Sequence, residues 1–382
     1  MLSLLIIILL IIYYLFIKKE KDIEHFSWYK RPSCRYRNSK TLDDIMKKYN
    51  INKGDLSNWE LYIPCNYNNI GLETRSIPPA FQGKKLFLIN NCDNIISKSN
   101  LWKIIYDKYG LKEARKIMPE TYILNNFRLK DDDLNRFIKS YKRGNIYIMK
   151  KNIQRQQGLK ITKKVNDIFG GVNNGYVIAQ DLLQNPYTIN SRKINMRIYL
   201  LIVCKNNKQT YYVHNNGFMY YTPKKYEKNS VDFETNITTG YIDRQVYVEN
   251  PLTHEDFRIY LDSTNRMLND YELDIISKKN KISVIVFERI YKLILKVMKA
   301  AKPHICKTEN VADYITGQTS FQLFGVDVSL NEKLEPHIME INKGPDIGAK
   351  DERDKKVKTK VVTDIFTILD LTNEPTHDFI IL

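Results

Sequence analysis

Cysteine and histidine are scarce in this sequence, at five and six of 382 residues. The cysteines form no CxxC pair and are odd in number, which predicts neither a disulfide framework nor a zinc site. Free cysteines fit a reducing compartment best. The five are Cys34, Cys65, Cys92, Cys204 and Cys306.

Acidic residues are too few to balance the basic ones, since 43 Asp and Glu face 60 Lys and Arg and leave a formal charge of +17. This excess favours acidic partners, which include nucleic acid, anionic lipid and acidic polypeptide tails. No aromatic-rich recognition motif accompanies the dispersed basic residues, so we do not expect nucleic acid to be the partner. Lysine is common along the whole chain, and a single lysine-rich stretch therefore carries little weight.

Apolar runs are short except at the N-terminus, where Leu2 to Ile17 carry no charge. At about 1.5 Å per residue, a helix of this length spans roughly 24 Å, close to a bilayer core of about 30 Å. No basic region precedes the run and no small-residue cleavage site follows it, which favours an anchor over a cleaved signal peptide. Lys18, Lys19 and Lys21 follow directly. The positive-inside tendency therefore predicts a single-pass membrane anchor over residues 1–18, with the rest of the chain facing the cytoplasm.

The remainder of the chain alternates strand and helix patterns without a strict repeat. Helix patterns lie near 98–109, 131–143 and 281–301, and strand patterns at 121–124, 145–150, 177–183, 195–204 and 211–216. Pro and Asn interrupt the polar region that follows the anchor, which predicts a spacer with some local structure. The expected divisions are the spacer at 19–75, a folded region in three parts at 76–150, 151–240 and 241–372, and a tail at 373–382.

The segment 324–342, FGVDVSLNEKLEPHIMEIN, has the pattern of two strands joined by a short polar turn. Side chains alternate between the faces of a strand, so Glu340 and Asn342 share one face. A turn centred near 333–334 places Asp327 opposite or diagonal to Glu340. Two carboxylates and an amide on one face suit Mg²⁺. A pair of acids neutralised by neighbouring Lys or Arg is the alternative, and this stretch alone does not decide between them.

Two basic stretches could supply cations for phosphate groups. The stretch 147–161 ends a strand at Lys150 and continues into a polar loop, and the stretch 193–199 places Lys193 and Arg197 on one strand face. The Walker A pattern GxxxxGK[ST] is absent, and each stretch alone also fits a solvated basic surface. Together the two stretches would neutralise a polyphosphate beside the magnesium site.

The order of these segments resembles that of the tubulin-tyrosine ligase-like family over most of residues 75–370. The segments that carry the resemblance are MPETYIL (118–124), YIMKKN (147–152), RQQGLKI (155–161), IAQDLLQNPYTINSRKINMRIYLLIV (178–203) and FGVDVSLNEKLEPHIMEIN (324–342). The resemblance implies an α+β protein with an ATP-grasp fold, in which antiparallel sheets are flanked by helices and follow the anchor helix. It also implies an ATP- and Mg²⁺-dependent ligase that joins a free amino acid, glutamate or tyrosine, to a carboxyl group of an acidic protein tail, with tubulin as the inherited expectation and polyglutamylation as one such reaction.

The resemblance further implies roles for individual residues. Contacts to ATP would come from Lys98, Lys150, Arg155, Gln180, Leu182, Leu183, Lys193, Arg197 and Asp327. Mg²⁺ would be held by Asp327, Glu340 and Asn342. Arg197 and Glu340 would act in catalysis, and the incoming amino acid would contact Tyr220, Thr235 and Asn236.

Several positions depart from the family pattern, among them Gln156 in place of a loop glycine and residues 233–234 in place of His-Leu. Asn195 stands where the family has aspartate, Asp181 stands where it has lysine, and Tyr220 replaces an arginine that helps to seat the incoming amino acid. These departures leave the donor amino acid open. They also motivate an alternative from another class, a catalytically inactive, membrane-anchored ATP-binding scaffold of the same fold.

Overall fold

The computed structural model describes residues 26–78, 83–124, 132–153, 158–206, 208–263, 281–307 and 317–382. The strands within these ranges are β1 (Ser27–Tyr29), β2 (Asn52–Lys53), β3 (Leu61–Tyr62), β4 (Lys85–Leu86), β5 (Thr121–Ile123), β6 (Tyr147–Lys150), β7 (Leu159–Thr162), β8 (Ile178–Asp181), β9 (Thr188–Ile189), β10 (Arg192–Lys205), β11 (Lys208–His214), β12 (Phe218–Tyr221), β13 (Thr319–Leu330), β14 (Pro336–Lys343) and β15 (Phe379–Ile381). The helices are α1 (Lys40–Lys48), α2 (Ile70–Arg75), α3 (Asp93–Ile96), α4 (Lys98–Ile117), α5 (Asp132–Ser140), α6 (Val165–Phe169), α7 (Phe233–Asn236), α8 (Val246–Glu249), α9 (His254–Asp262), α10 (Ile282–Ala301) and α11 (Glu352–Ile368).

The larger sheet is built around the long strands β10 and β13, which pair antiparallel. Its strand order is β15, β11, β10, β13, β4, β3, β1, β2, while β14 pairs with β13 and both β9 and β12 pair with β10. Residues 198–202 of β10 are all buried. Because neighbouring side chains point to opposite faces, this part of the sheet is covered on both sides. The polar first half of β10 is therefore the part that is free to face a site.

The smaller sheet has the order β5, β8, β6, β7, with every neighbouring pair antiparallel. Its own apolar cluster includes Tyr122, Tyr147 and Phe137 of α5. The guanidinium of Arg136, also on α5, lies over the rings of Trp102 and Tyr106 on α4, at 5.6 and 5.3 Å from their centroids. This stacking connects the small sheet to the helix that begins at the cleft between the two sheets.

Several predicted elements are confirmed. The expected helix at 281–301 is α10, and the expected hairpin is formed by β13 and β14. The helix expected over 98–109 is the first half of α4, which is interrupted at Gly110, where φ is 72°. Glycine adopts this left-handed conformation without the steric cost that a side chain would bring.

The prediction of antiparallel sheets is confirmed for the small sheet and for the strands around β10, whereas one edge of the larger sheet is parallel. Strands β1 to β4 pair parallel with their neighbours, and β4 continues parallel onto β13. Residues expected to form a spacer at 19–75 contribute three of these strands, and Leu61 and Tyr62 are fully buried. The described part of this region therefore belongs to the main core, because its short strands extend the same sheet.

The sequence predicted no disulfide framework, and the structure differs, since it pairs four of the five cysteines. The sulfurs of Cys34 and Cys65 are bonded, as are those of Cys204 and Cys306, and the Cα atoms of the two pairs lie 5.4 and 6.2 Å apart. These distances fall within the range of disulfides. Tertiary folding brings together cysteines that are 31 and 102 residues apart in the sequence, which spacing alone could not reveal.

The N-terminal anchor expected at 1–18 lies outside the described residues, and so does Arg155. Within the described ranges, no helix combines the length and the apolarity needed to cross a membrane. The anchor therefore stays a prediction from sequence.

Candidate functional site

A cleft of 620 Å³ lies between the two sheets. Ile148, Lys150 and Leu182 line it from the small sheet and the chain that follows β8, while β10, β12, β13 and β14 line it from the large sheet. The loop after α7 and the loop after β14 complete the wall. The cleft thus collects side chains that are widely separated along the chain.

One side of the cleft is a carboxylate wall, which consists of Asp327, Glu340 and Asn342. Asp327 and Glu340 are directly paired across the β13–β14 hairpin, and a bulge follows between Asp327 and Val328. The side-chain Nδ2 of Asn342 donates to Asp327 Oδ2 at 3.2 Å and to Glu340 Oε1 at 3.0 Å. The three groups predicted to converge from strand alternation therefore do converge.

Arg197 connects the carboxylate wall to β10. It is the cross-strand neighbour of Asp327, and its Nε and Nη2 donate to the two carboxylate oxygens at 2.6 and 3.1 Å. Its guanidinium also lies 5.3 Å from the centroid of the Tyr220 ring. A Cβ atom at Gly325 would lie 2.8 Å from Arg197 Cδ, so the glycine makes room for this side chain.

Burial and neighbouring charges shift the two acids of the wall in opposite directions. Burial raises the pKa of Asp327, and the nearby carboxylate of Glu340 adds to this effect although Arg197 opposes it. Burial alone would raise the pKa of Glu340, but Lys98 and Lys150 outweigh it and lower that pKa. Lys98 Nζ lies 3.7 Å from Glu340 Oε2. Glu340 is therefore held as a carboxylate that can accept a cation.

Two buried lysines face the cleft beside this wall. Lys150 Nζ donates to Gln180 Oε1 at 2.8 Å and to the Met339 carbonyl at 3.5 Å. Gln180 is fixed in turn by a bond from its Nε2 to Thr121 Oγ1 at 2.8 Å. Burial lowers the pKa of both Lys150 and Lys193 to about 8. Neither ammonium forms an ion pair within 4.0 Å among the described residues, although the charge of Lys150 acts on Glu340 from farther away.

The donor set fits magnesium and a polyphosphate. Magnesium is bound by oxygen ligands, commonly one or two carboxylates with the remaining positions left to water and phosphate. Asp327 and Glu340 supply the carboxylates, and the amide of Asn342 can rotate to present its oxygen because the two ends of an amide occupy nearly the same volume. Lys150 and Lys193 supply positive charge for phosphate oxygens on the same cleft.

The structure brings most of the predicted site residues together. Those that line the cleft are Lys98, Lys150, Leu182, Lys193, Arg197, Tyr220, Asn236, Asp327, Glu340 and Asn342. Gln180 is fully buried and contacts the cleft only through the hydrogen bond that it accepts from Lys150. Leu183 is half-buried and does not line the cleft. Thr235 does not line the cleft, since its hydroxyl donates to the Asp232 carbonyl at 3.0 Å within the same turn.

A second set of cations lines the cleft and was not predicted. This basic cluster consists of Arg244, Lys350 and Lys358. Burial lowers the pKa of Lys350, the positive charges of Lys358 and Arg244 add to this effect, and Asp354 and Asp346 oppose it. The only sequence signal for the cluster was the general abundance of lysine, which does not distinguish a cleft residue from a solvated one.

The comparisons with known proteins agree with this geometry. The profile of the Tubulin-tyrosine ligase family matches residues 83–377, well over half of the chain. The chain belongs to the tubulin-tyrosine ligase family. A tubulin polyglutamylase from Caenorhabditis briggsae is 23% identical over 285 residues, which cover 74% of this chain and 45% of that protein.

Two further relatives of this family member carry similar descriptions. A tubulin polyglutamylase from Xenopus tropicalis is 24% identical over 251 residues, covering 62% of this chain and 27% of that protein. A probable beta-tubulin polyglutamylase from Tetrahymena thermophila is 22% identical over 288 residues, covering 69% of this chain and 22% of that protein. The chain therefore spans less than half the length of these three relatives. Family membership accounts for the order of the resembling segments along the chain. It does not by itself establish the activity or the substrates of this chain.

Proposed function

We propose that this protein is an ATP-dependent ligase that joins glutamate to a carboxyl group of an acidic protein tail, with tubulin as the acceptor. The observation that carries the proposal is the carboxylate wall beside two buried lysines, Lys150 and Lys193, in one cleft. The relatives are tubulin polyglutamylases by name, which supports glutamate over tyrosine and tubulin over other acceptors. The net charge of +17 suits an acidic acceptor.

Each part of the cleft has a role in the proposed reaction. Asp327, Glu340 and Asn342 would hold magnesium, and Lys150 and Lys193 would orient the phosphates of ATP. When bound with magnesium, ATP would supply the phosphoryl group that activates the acceptor carboxylate. The donor amine would then form the new bond to the carboxyl carbon as the bond from that carbon to the phosphate oxygen breaks, and phosphate would leave. Arg197 is fixed by Asp327 and by the Tyr220 ring, so it can stabilise developing negative charge without reorganising.

The test measures incorporation of amino acids by the full chain. Magnesium, ATP, tubulin and one isotopically labelled amino acid at a time are supplied, and mass spectrometry detects the modified tails. We expect glutamate to be incorporated and Glu340→Gln to reduce the rate to about one hundredth or less, because one carboxylate ligand is lost. The matched control is Glu335→Gln, since Glu335 is an exposed acid on the same hairpin that accepts from Asn331 Nδ2 at 2.7 Å. Absence of incorporation with every donor and acceptor would refute the ligase.

A non-catalytic ATP-binding scaffold is the second candidate. Its support is the departure from the family pattern at Asn195 and Tyr220. Asn195 Oδ1 is buried and has no hydrogen-bond partner among the described residues. Magnesium-dependent ATP binding in calorimetry without any acceptor-dependent phosphate release would favour the scaffold. Phosphate release that depends on an acidic peptide would exclude it.

We also propose that residues 1–18 anchor the chain in a membrane with its folded part facing the cytoplasm. The uncharged run and the lysines that follow it support this orientation. The two disulfides stand against it, because disulfides persist mainly in oxidising compartments. Alkylation of the denatured, unreduced protein separates the two cases. Five modified cysteines would fit a cytoplasmic domain, whereas modification of Cys92 alone would contradict it.

A further inference from the structure

A histidine and two aspartates meet at one edge of the larger sheet, and none of them lines the cleft. His214 is the last residue of β11, Asp364 lies on α11, and Asp378 directly precedes β15. One ligand atom from each of these side chains lies within 4.8 Å of the other two. We call the three residues the His–Asp cluster. The pairing of β15 with β11 brings Asp378 to the other two members.

The two inner members of the His–Asp cluster are buried and held in place. His214 and Asp364 are each 1% exposed, and the His214 ring packs against Phe379 with 4.9 Å between the ring centroids. Burial alone would raise the pKa of Asp364, but hydrogen bonds from His214, Lys360 and the Asp378 amide outweigh it and lower that pKa. Asp364 is therefore a carboxylate on the buried side of the cluster.

The surroundings of the His214 ring allow one of its nitrogens to bind a cation. Nδ1 lies 2.9 Å from the carbonyl oxygen of Asn216, and Nε2 lies 3.1 Å from Asp364 Oδ2. With its proton on Nδ1, the ring donates to the Asn216 carbonyl, and the lone pair of Nε2 then faces the carboxylate, which is favourable only with a cation between them. Histidines that bind metals commonly donate their other ring N–H to a backbone carbonyl in this way. With its proton on Nε2, the ring instead donates to Asp364, so this hydrogen bond and a bound cation exclude each other.

Lys360 contacts both aspartates of the cluster. Its Nζ lies 2.6 Å from Asp364 Oδ1 and 3.4 Å from Asp378 Oδ2. Two carboxylates that share one ammonium keep an excess of negative charge, which favours a divalent cation. The Lys360 side chain is 42% exposed, so its ammonium can move into solvent when another cation binds.

We propose that the His–Asp cluster is a zinc site that fastens β15 to β11 and α11. Proteins bind zinc through histidine nitrogen and carboxylate oxygen at about 2.0 to 2.2 Å, and an open site has three protein ligands with water in the fourth position. His214 supplies the nitrogen, and Asp364 and Asp378 supply the oxygens. Magnesium and calcium take oxygen ligands, so the histidine favours zinc. The site contains no cysteine, and the spacing of the cysteines therefore gave no sign of it.

Asp378 gives the site access to solvent. It is exposed, and together with Asn215 and Asn216 it lines a second cavity, of 820 Å³. In the part of the chain that the structure describes, this cavity shares no lining residue with the cleft. Zinc can therefore bind at the cluster whether or not the cleft is that of a ligase.

The test measures zinc binding by the full chain, with magnesium in excess to fill the carboxylate wall. Calorimetry gives the affinity and the stoichiometry, and we expect one zinc ion per chain. Asp378→Asn should weaken binding by about a hundredfold or more, because residues that only hydrogen-bond to a metal ligand already change metal affinity by about 10- to 100-fold. The matched control is Asp370→Asn, at an exposed aspartate between α11 and β15, and it should bind zinc as wild type does.

Thermal unfolding gives a second readout, because an ion that binds only the folded state stabilises it. Zinc should raise the unfolding temperature of wild type and leave that of Asp378→Asn unchanged. Lys360→Met should bind zinc about two- to fivefold more tightly, since it lacks the competing ammonium of a weak, partly exposed ion pair.

Three results would overturn the inference. Wild type that binds no zinc at micromolar concentration would show that Lys360 is the lasting partner of both aspartates. Equal zinc binding by Asp378→Asn, or loss of zinc binding in Glu340→Gln, would show that the ion lies elsewhere. Weaker binding by Lys360→Met would show that the ammonium does not compete with zinc for the carboxylates.

Discussion

The approach of Gly325 to Arg197 is a tight geometric constraint in the cleft, and Gly325→Ala tests it. The added Cβ would lie 2.8 Å from Arg197 Cδ, 3.0 Å from Nε and 3.1 Å from Nη1. Ordinary carbon contacts are about 3.5 to 4.0 Å, so the Arg197 side chain must move by roughly half an ångström or more. Asp327 lies two residues from Gly325 on the same strand and cannot follow this movement freely.

The expected magnitude follows from the two hydrogen bonds that hold Arg197. They measure 2.6 and 3.1 Å, and both join charged groups. Loss of one hydrogen bond to a charged group costs about 1.5 to 3 kcal/mol. The free energy of unfolding should fall by about this amount. If Arg197 stabilises the transition state, kcat/KM for ATP should fall by about 10- to 150-fold, at 1.36 kcal/mol for each factor of ten.

Two measurements check this prediction. Urea unfolding followed by intrinsic fluorescence gives the change in stability, and glutamate incorporation gives kcat/KM. Gly71→Ala is the matched control, because Gly71 lies in α2 with the nearest atom 3.6 Å from an added Cβ. Alanine in place of glycine inside a helix should stabilise by about 0.5 to 1 kcal/mol.

A double-mutant cycle with Arg197→Ala shows whether the clash is the cause. Arg197→Ala removes the Cδ, Nε and Nη1 atoms that the new methyl group would meet. Gly325→Ala should then cost less than about 0.5 kcal/mol in this background. Equal cost of Gly325→Ala in both backgrounds would refute the reasoning.

Two other predictions concern pH and the N-terminal strands. Burial lowers the pKa of Lys150 and Lys193 to about 8, so each ammonium loses its proton as pH rises through about 8, and kcat/KM for ATP should fall there. Lys193→Arg should shift this decline to higher pH. A flat profile up to about pH 9.5 would contradict the assignment of these lysines to phosphate binding. The same lysines bind fewer protons when folded than when unfolded between about pH 8 and 10.5, so their contribution to the free energy of unfolding rises with pH in that window. The buried Glu73 carboxylate accepts from Arg31 Nη2 at 3.1 Å, from Tyr62 Oη at 3.1 Å and from the Cys65 amide at 3.0 Å. Glu73→Ala should therefore lower the free energy of unfolding by about 3 to 5 kcal/mol. The control Glu352→Ala, at an exposed residue, should change it by less than about 0.5 kcal/mol. No effect of Glu73→Ala in urea unfolding would show that the N-terminal strands are not part of the cooperative core.

The sequence was most informative where a structural rule acts over a few residues. The alternation of side chains along β13 and β14, joined by one short turn, was enough to place Asp327, Glu340 and Asn342 on one face. The spacing of the apolar residues likewise predicted helix α10. Both predictions depend only on the local periodicity of side chains, which is the same wherever the element lies in the fold.

Local sequence patterns do not reveal which distant strands pair with each other. The bond from Arg197 to Asp327 joins residues 130 positions apart and exists because β10 lies next to β13. The parallel edge formed by β1 to β4 and the two disulfides likewise depend on which strands become neighbours. A sequence pattern states which face a side chain takes, but it does not state which partner that face will meet.

The sequence by itself thus determined the carboxylate wall, the order of the basic stretches and the family resemblance, since these rest on residue type and period. The tertiary structure alone decided that Arg244, Lys350 and Lys358 line the same cleft and that Arg244 and Lys358 form ion pairs there with Asp351 and Asp354. The physical reason is that charge compensation depends on distances of a few ångströms between elements that are far apart in the chain.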